Sequence, residues 1–389
     1  MKYRILTLNH ISARGLERLP RERYEVASGL DRPHAILVRS ADMHRMVIAD
    51  TVRAVGRAGA GVNNIPVEAL SARGVPVFNA PGANANAVKE LVLASLFLAA
   101  RNICQAWAFA RGLKGDDASI DAQVASGRQA FFGFELAGRI LGVVGLGAVG
   151  VEVANAAAAL GMQVLGYDPK ITVQRAGQLS AGVEQALSLD DLFARSDFVT
   201  VHVPLNEQTR GLVNEYRVKL MQKGGVLLNF SRPGIVEDSQ VVAALDAGRL
   251  HAYVCDFPSS LLKSHPRVIT LPHLGASTSE AADNCAVMAA DQLRDFLENG
   301  NIRNSVNYPE AQLPRPPGVT RLAIASRNAP SRFGPICGCL AAAGLGIENL
   351  LNKSRGEFAY TLIDLSGPAG EGLIAKLRPI EGVLSAYLI

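Results

Sequence analysis

The stretch Arg139-Ile140-Leu141-Gly142-Val143-Val144-Gly145-Leu146-Gly147-Ala148-Val149-Gly150 is an apolar run that ends in a glycine-rich turn. Because the chain holds 37 glycines in 389 residues, the G-x-G-x-x-G spacing alone is a weak signal. The context strengthens it. The apolar run predicts a buried parallel strand, and residues 151–160 predict the helix that follows, which ends at Gly161.

A second predicted strand, residues 163–167, ends at Asp168, eighteen residues beyond Gly150. This layout is typical of a dinucleotide site. Gly145 allows the tight turn, Gly147 lets a pyrophosphate approach the backbone, and Gly150 lets the helix pack on the strand. The helix N-terminus then faces the phosphates. We expect Asp168 to bind the adenosine ribose hydroxyls and to repel a 2′-phosphate, which favours NAD over NADP.

Composition limits the class of protein. A chain of 389 residues predicts two or three domains of about 150 residues each. The apolar fraction of 49% supports substantial cores, and the charged fraction of 19% argues against disorder. The net charge of +4 comes without a lysine-rich run, so we expect no nucleic-acid partner.

No membrane or metal role is expected from the sequence. The longest apolar stretch, residues 91–100, is too short to span a bilayer, and residues 1–8 predict a first strand rather than a signal peptide. Five scattered cysteines suggest free thiols in a reducing cytoplasm. The Cys337-Gly338-Cys339 segment lacks the spacing of a zinc site.

About 140 residues precede the glycine turn, so another domain is expected to come first. It reads as an open α/β sheet over residues 1–90, with strands at 3–8, 35–38, 54–55 and 75–78. Residues 86–112 predict one long helix that runs from this domain into the next. After further βα units, residues 281–299 predict a final amphipathic helix.

The composition changes after residue 307. Residues 308–318 are proline-rich and predict a semi-rigid linker. The remaining residues predict the order β (321–325), α (330–343), β (347–353), β (358–365), α (370–378), β (383–388). This split βαβ pattern is typical of small ligand-sensing modules, so binding or assembly is expected there rather than chemistry.

Three segments after the glycine turn are candidates for the chemistry, because strand ends approach a nicotinamide there. His202 ends one strand and is expected to be packed rather than catalytic. Arg232 follows the apolar strand that ends at Asn229, and a guanidinium there suits a carboxylate and a polarised carbonyl. His273 follows the strand 268–270, where an imidazole is placed to carry a proton near neutral pH.

In this order the segments resemble the D-isomer-specific 2-hydroxyacid dehydrogenases, and the resemblance covers essentially the whole chain. The motifs that carry it are Gly145–Gly150, Tyr167-Asp168-Pro169, His202-Val203-Pro204, Asn229–Gly234 and Pro272–Thr278. Segments 57–64 and 79–84, the run 273–278 and the C-terminal module resemble the members that oxidise 3-phosphoglycerate to 3-phosphohydroxypyruvate, the first step of serine biosynthesis.

The implied fold is α/β, with a Rossmann-type doubly wound parallel sheet, a discontinuous flavodoxin-like α/β domain and a small α+β ACT-like domain. The implied division is a substrate-binding domain (1–90 plus 283–307), an NAD-binding domain (91–282), the linker (308–318) and the ACT-like domain (319–389).

The resemblance also assigns residues. His273 takes the hydroxyl proton while hydride leaves C2 for the nicotinamide, and Arg232 holds the carboxylate and the developing keto oxygen. The glycine turn and the resemblance together place cofactor contacts at Ala60, Gly145, Gly147, Ala148, Val149, Gly150, Asp168, His202, Val203, Pro204, Phe230, Ser231, Arg232, Asp256, His273, Gly275 and Ala276. Substrate contacts are placed at Arg39, Ser40, Arg57, Gly59, Ala60, Gly61, Asn84, Arg232 and His273. Arg39 and Arg57 are the candidates for the phosphate; the alternative for each is a solvated surface arginine.

One departure concerns the acid that supports the histidine. The family carries an Asp-Val-Phe-x-x-Glu-Pro segment, whereas this chain has Cys255-Asp256-Phe257-Pro258-Ser259 and no acidic residue between Asp256 and Glu280. Three alternatives follow. Asp256 is the third catalytic residue and partners His273, an acid arrives from elsewhere in the fold, or the imidazole works without a carboxylate and is a weaker base.

The resemblance implies a homodimer or higher homo-oligomer, and an amino-acid effector such as serine near residues 326–328 and the turn 348–349. Glu348 stands where a neutral amide is expected. Two other functions stay open, a reductase for glyoxylate, hydroxypyruvate or another 2-keto acid, and a non-enzymatic NADH-sensing scaffold. Turnover of phosphorylated against unphosphorylated substrates separates the first from the main hypothesis.

Overall fold

The fold is described from a computed structural model, and the structure describes residues 2–329 and 333–389. The chain forms two compact units. The first comprises Met1–Asn84 and Ser279–Ile389, and the second comprises Ala85–Thr278.

The strands, numbered along the chain, are β1 (Tyr3–Leu8), β2 (Tyr24–Ala27), β3 (Ala35–Val38), β4 (Ala54–Arg57), β5 (Val77–Phe78), β6 (Ile140–Val144), β7 (Gln163–Tyr167), β8 (Val183–Gln185), β9 (Phe198–Val201), β10 (Gly225–Asn229), β11 (Leu250–Cys255), β12 (Val268–Thr270), β13 (Thr320–Arg327), β14 (Ile347–Arg355), β15 (Phe358–Leu365) and β16 (Val383–Leu388). The helices are α1 (Ala13–Leu16), α2 (Val67–Ala72), α3 (Ala85–Ala100), α4 (Ile103–Gly112), α5 (Asp117–Gly127), α6 (Ala148–Ala159), α7 (Val173–Ala176), α8 (Leu189–Arg195), α9 (Glu215–Leu220), α10 (Asp238–Asp246), α11 (Ser279–Asn299), α12 (Phe333–Ala342) and α13 (Glu371–Leu377), with a 3₁₀ turn at Arg128–Phe131.

The second unit is built on a seven-stranded parallel sheet in the order β12-β11-β10-β9-β6-β7-β8. Consecutive residues of β6 face opposite sides, so Val143 lies in one apolar cluster and Val144 in the other. Burial on both faces explains why these strands are continuous apolar runs rather than alternating ones. The strand order reverses between β6 and β9, which confirms the predicted Rossmann-type doubly wound sheet and locates its crevice.

The single helix predicted for residues 86–112 is wrong. The chain forms two helices, α3 and α4, with a 64° bend between them. Asn102 adopts φ 49° at the break, a left-handed conformation that a continuous α-helix does not contain. Among the residues that the structure describes, no single helix is long and apolar enough to cross a membrane, although the bent pair α3 and α4 passes that test by length and composition.

The first unit contains a five-stranded parallel sheet in the order β2-β1-β3-β4-β5. This is the flavodoxin-like order 2-1-3-4-5, and it includes β2, a strand not anticipated from the sequence. Helix α11 packs against this sheet and against α1 at positions where only glycine fits. A Cβ on Gly15 would lie 2.5 Å from the Cβ of Ala286, and one on Gly56 would lie 2.9 Å from Cγ of Leu293.

The C-terminal residues of the first unit form a four-stranded antiparallel sheet in the order β14-β15-β13-β16. Its βαββαβ chain order confirms the split βαβ pattern; positions 330–332 of the predicted helix 330–343 lie outside the described residues. One sheet face packs on α12 and α13. The other joins the core of the five-stranded sheet, where Tyr360 and Leu362 share an apolar cluster with Phe78 and Phe296.

A buried ion pair ties this module to the chain before it. Arg321 and Asp364 are both inaccessible to solvent, with Nε to Oδ1 at 2.6 Å and Nη2 to Oδ2 at 3.1 Å. Nη1 of Arg321 also donates to the carbonyls of Asn299 and Leu313, at 3.0 and 2.7 Å. The proline-rich segment is therefore held at two points, at Leu313 by the bond from Arg321 and at Tyr308, which is fully buried.

Candidate active site

The glycine turn joins β6 to α6 as predicted. Gly145 has φ +92°, and a Cβ there would lie 2.8 Å from the carbonyl oxygen of His202, so the turn requires glycine. A Cβ on Gly150 would lie 1.9 Å from the carbonyl oxygen of Gly145, which fixes the close packing of helix on turn. A Cβ on Gly147 would meet nothing within 4 Å. The space in front of Gly147, at the N-terminus of α6 with Ala148 and Val149, is therefore open, as the predicted approach of a phosphate requires.

Asp168 lies directly after β7 and holds this turn. Its Oδ2 accepts the backbone N–H of Leu146 at 2.9 Å, and its Oδ1 accepts that of Lys170 at 2.8 Å. The backbone N–H of Gly145 is bonded to the carbonyl of Tyr167 at 2.8 Å. Each carboxylate oxygen keeps a second lone pair, so the same group is able to accept ribose hydroxyls.

The end of β9 contributes His202, Val203 and Pro204 beside the turn. The backbone N–H of His202 donates to the carbonyl of Val144 at 2.7 Å, and its Nε2 lies 3.0 Å from Oγ1 of Thr200. Burial lowers the pKa of His202 to about 4. The ring is therefore neutral at pH 7, and its packing supports the expectation of a structural rather than a catalytic histidine.

The end of β10 presents Arg232 on a loop fixed by Asn229. Asn229 is 1% exposed; its side-chain N–H donates to the carbonyl of Arg232 at 3.0 Å, and its oxygen accepts the N–H of Ser231 at 3.1 Å. Oγ of Ser231 donates to the carbonyl of Val201 at 2.9 Å, which joins the loop to the end of β9. Phe230 is 7% exposed and packs in the core below. Arg232 itself is half-buried, with Nη1 2.6 Å from the carbonyl oxygen of Ser231.

Asp256, which follows β11, is 1% exposed and binds the backbone of the loop that carries His273. Its Oδ1 accepts the N–H of Leu274 and its Oδ2 that of Gly275, both at 2.7 Å. The backbone N–H of His273 in turn donates to the carbonyl of Asp256 at 3.1 Å. Within residues 2–329 and 333–389 the carboxylate makes no hydrogen bond to the imidazole. The contact suggested from the sequence, carboxylate to ring, is replaced by one from carboxylate to backbone.

His273 is exposed, and its backbone adopts φ 58° in the left-handed region. Its ring and the ring of Phe257 form a T-shaped contact, with the centroids 5.3 Å apart and the planes at 82°. Gly275 is buried, and Ala276 is half-buried on the same loop. Phe257 did not stand out in the sequence; its only signal was its place next to Asp256.

The residues predicted for the substrate in the first unit lie at the carboxyl edge of the five-stranded sheet, where Arg57 ends β4 and the others follow β3, β4 or β5. Nε of Arg57 donates to the carbonyl of Arg39 at 3.0 Å, so the structure brings these two arginines together. The backbone N–H of Ser40 donates to Oδ1 of Asn9 at 3.1 Å.

The segment 59–61 lies against Asn79, which is not among the predicted site residues, and against Arg57, which is. The side chain of Asn79 donates to the carbonyl of Ala60 at 2.5 Å. A Cβ on Gly59 would lie 2.2 Å from Nη1 of Arg57. Gly61 and Asn84 are half-buried. Asn79 belongs to the segment 79–84 that carries the resemblance, but no spacing rule predicts that its side chain bonds to the loop 59–61.

Known proteins share this fold and these segments. The NAD-binding domain of the D-isomer specific 2-hydroxyacid dehydrogenases matches residues 103–275. D-3-phosphoglycerate dehydrogenase of Haemophilus influenzae is 31% identical over 351 residues, which cover 86% of this chain and 81% of that protein. The chain therefore belongs to the D-isomer-specific 2-hydroxyacid dehydrogenase family.

Another relative is also named D-3-phosphoglycerate dehydrogenase. The protein of Methanocaldococcus jannaschii is 37% identical over 303 residues, 73% of this chain, and this chain spans only 55% of its length. Among solved structures, NAD⁺-bound 3-phosphoglycerate dehydrogenase of Entamoeba histolytica has the same fold, with a TM-score of 0.61 at 24% identity over 79% of this chain and 99% of that one.

Proposed function

We propose that this protein oxidises 3-phospho-D-glycerate to 3-phosphohydroxypyruvate with NAD, the first step of serine biosynthesis. The observation that carries the proposal is the carboxyl edge of the seven-stranded sheet, where the glycine turn with Asp168, the Arg232 loop and the His273 loop all follow parallel strands. The names of the Haemophilus and Methanocaldococcus relatives support the substrate.

The open space at Gly147 and the acceptor Asp168 fit NAD, whose chemical contribution is to accept the hydride from C2. The O–H bond at C2 breaks with its proton passing to the imidazole of His273, and the remaining electron pair forms the keto bond. The guanidinium of Arg232 binds the substrate carboxylate in a bidentate manner and stabilises the developing keto oxygen. In this proposal Asp256 positions the histidine loop, and the imidazole acts without a carboxylate bonded to it.

The phosphate of the substrate is assigned to Arg39 and Arg57. Their joint placement at the carboxyl edge of the five-stranded sheet supports this role over that of two independent surface arginines. The segment Gly59-Ala60-Gly61, Ser40 and Asn84 are proposed to contact the substrate from the same unit.

The assembly is proposed to be a homodimer formed through the cofactor-binding unit. Large apolar side chains are exposed there, with Trp107 at 61% and Phe132 at 89%, and Ile103 and Val124 near 40%. Such a surface is typical of a protein interface. The five cysteines are free, which is consistent with a reducing compartment such as the cytoplasm.

Serine feedback through the C-terminal module stays a prediction. Two amides expected near the effector already have protein partners, since Asn328 donates to the carbonyl of Gly356 at 3.1 Å and Asn349 to Oδ2 of Asp364 at 3.3 Å. Titration of activity with serine tests the idea, and a flat response contradicts it.

The function itself is tested by following NADH formation over a panel of D-2-hydroxy acids that includes 3-phosphoglycerate, glycerate, lactate and glycolate. We expect kcat/KM to be highest for the phosphorylated acid, and Arg39→Met to lower this preference. A preference for unphosphorylated acids would favour the glyoxylate or hydroxypyruvate reductase. Binding of NADH without turnover of any acid would favour the sensing scaffold.

A further inference from the structure

A basic cavity of about 310 Å³ lies in the first unit, between the five-stranded sheet and the C-terminal module. Arg32 and His34 line it from the segment before β3, and Arg53 from the residue before β4. Arg378 and Tyr387 line it from the end of α13 and from β16. It therefore lies at the amino edge of the parallel sheet, opposite to the edge where Arg39 follows β3 and Arg57 ends β4.

The guanidinium groups of this cavity have little counter-charge. Arg32, Arg53 and Arg378 form no ion pair within the residues that the structure describes. Arg53 instead lies over the ring of Tyr387, 4.9 Å from its centroid. Two carboxylates line the cavity, and one of them, that of Asp50, is already paired with Arg73 at 3.4 Å. Three guanidinium groups thus face a single carboxylate without an ion pair, that of Glu371.

His34 adds a neutral donor. Its Nδ1 accepts the backbone N–H of Arg4 at 2.9 Å, so the proton of the neutral ring is on Nε2. Burial, with Arg53 and Arg4 as further causes, lowers the pKa of His34 below its ordinary value. The ring is therefore uncharged at pH 7 and available to donate one hydrogen bond to an anion.

We propose that this cavity binds the phosphoryl group of a small metabolite, as a site separate from the substrate residues. Guanidinium groups bind phosphate oxygens in a bidentate manner, and the cavity supplies three of them with an imidazole N–H and a phenol. A neighbouring cavity of about 370 Å³ shares His34 and Arg53 and is lined by Lys2, which leaves room for the rest of an organic phosphate. Because both halves of the unit line the site, the bound anion braces the C-terminal module against the five-stranded sheet.

The test is calorimetric titration of the full chain with inorganic phosphate and, separately, with glycerol phosphate, which is not a 2-hydroxy acid. Arg53→Met and Arg378→Met are each expected to weaken binding about tenfold or more, as loss of a charge-assisted bond predicts. Arg32→Met is also expected to weaken binding. Because Arg32 is exposed, this change leaves the packing intact. Tighter binding of glycerol phosphate than of inorganic phosphate identifies an organic ligand, and equal binding identifies the free anion.

Two controls separate this site from the proposed substrate site. Arg39→Met is expected to keep phosphate binding at this cavity, and so is Arg128→Met, which removes an exposed arginine of the second unit. Unchanged NADH formation by Arg53→Met and Arg378→Met is also expected. The proposal is overturned if the wild-type chain binds neither ligand, if the cavity variants bind like the wild type, or if Arg39→Met alone removes binding.

Discussion

The carboxylate of Asp256 and the backbone amide of Gly275 are joined by a 2.7 Å hydrogen bond, and the second carboxylate oxygen holds the amide of Leu274 at the same distance. His273 lies immediately before these two amides with φ 58°. A non-glycine residue in that region costs about 1–2 kcal/mol, and charge-assisted bonds of this kind offset such a cost. Asp256 thus fixes the backbone beside the imidazole instead of bonding to the imidazole itself.

Asp256→Asn is expected to lower kcat by about 10- to 100-fold, because an amide nitrogen cannot accept the N–H that Oδ2 now accepts and a bond worth about 1.5–3 kcal/mol is lost. The acidic limb of the pH–rate profile is expected to stay in place, since the carboxylate is not bonded to the ring. Steady-state kinetics across pH measures both quantities.

Asp246→Asn is the matched control for this experiment. Asp246 pairs with His265 at 3.3 Å on the surface, so its loss is expected to leave kcat unchanged. A shift of the acidic limb in Asp256→Asn would show that the carboxylate acts on the imidazole directly. An unchanged kcat would show that the loop does not need it.

Two alanine substitutions in the glycine turn are expected to have different effects, one on stability and the other on NAD binding. Gly150→Ala places a methyl group 1.9 Å from the carbonyl oxygen of Gly145. Because this oxygen belongs to the backbone, no side-chain rotation relieves the clash, and the second unit is expected to lose stability. Gly147→Ala meets no protein atom within 4 Å and is expected to fold normally while raising KM for NAD. Thermal unfolding followed by the fluorescence of Trp107, the one tryptophan of the chain, compares both variants with the wild type. Normal NAD binding by Gly147→Ala would remove the pyrophosphate assignment.

The sequence predicts the parts of this molecule that depend on local spacing. The turn from Gly145 to Gly150 and the position of Asp168 follow from residues close together in the chain, and the structure has the turn between β6 and α6 and Asp168 directly after β7. The break at Asn102 was missed because α3 and α4 are both helical by pattern, and one left-handed residue changes no periodicity.

Contacts between distant segments are not predicted by the sequence, for a different reason. The bonds of Asp256 to backbone N–H groups depend on the path of a loop, and backbone groups are the same at every residue. The burial of Tyr308 was also missed, because proline content describes the stiffness of a segment and not what covers it.

His202 is expected to make the stability of the second unit fall with acid. Its folded-state pKa of about 4 lies below the ordinary value of 6.5, so the unfolded chain binds the extra proton first. The stability that the neutral ring contributes is complete above pH 6.5 and is lost as the pH falls from 6.5 towards 4, with a slope of at most about 1.4 kcal/mol per pH unit. Urea unfolding followed by Trp107 fluorescence at several pH values measures this slope.

His202→Gln is expected to reduce the slope, because glutamine replaces the ring without a group that titrates in this range. His10→Gln, at an exposed histidine of the first unit, is the matched control. Equal slopes for the wild type and His202→Gln would mean that His202 is not the group responsible.

The buried pair of Arg321 and Asp364 is expected to be the most costly ion pair to break. Asp364→Asn leaves a guanidinium without its carboxylate at a site closed to solvent, and loss of one partner of such a pair costs about 3–5 kcal/mol. Arg321→Met is expected to cost at least as much, because the carbonyls of Asn299 and Leu313 lose their donor as well. Differential scanning calorimetry is expected to show the transition of the first unit moving to lower temperature in both variants.

Arg327→Met, which breaks an exposed pair with Glu357 at 3.2 Å in the same sheet, is expected to change stability by less than about 1 kcal/mol. If Arg327→Met and Asp364→Asn shift that transition equally, the buried pair is not what holds the C-terminal module to the end of α11.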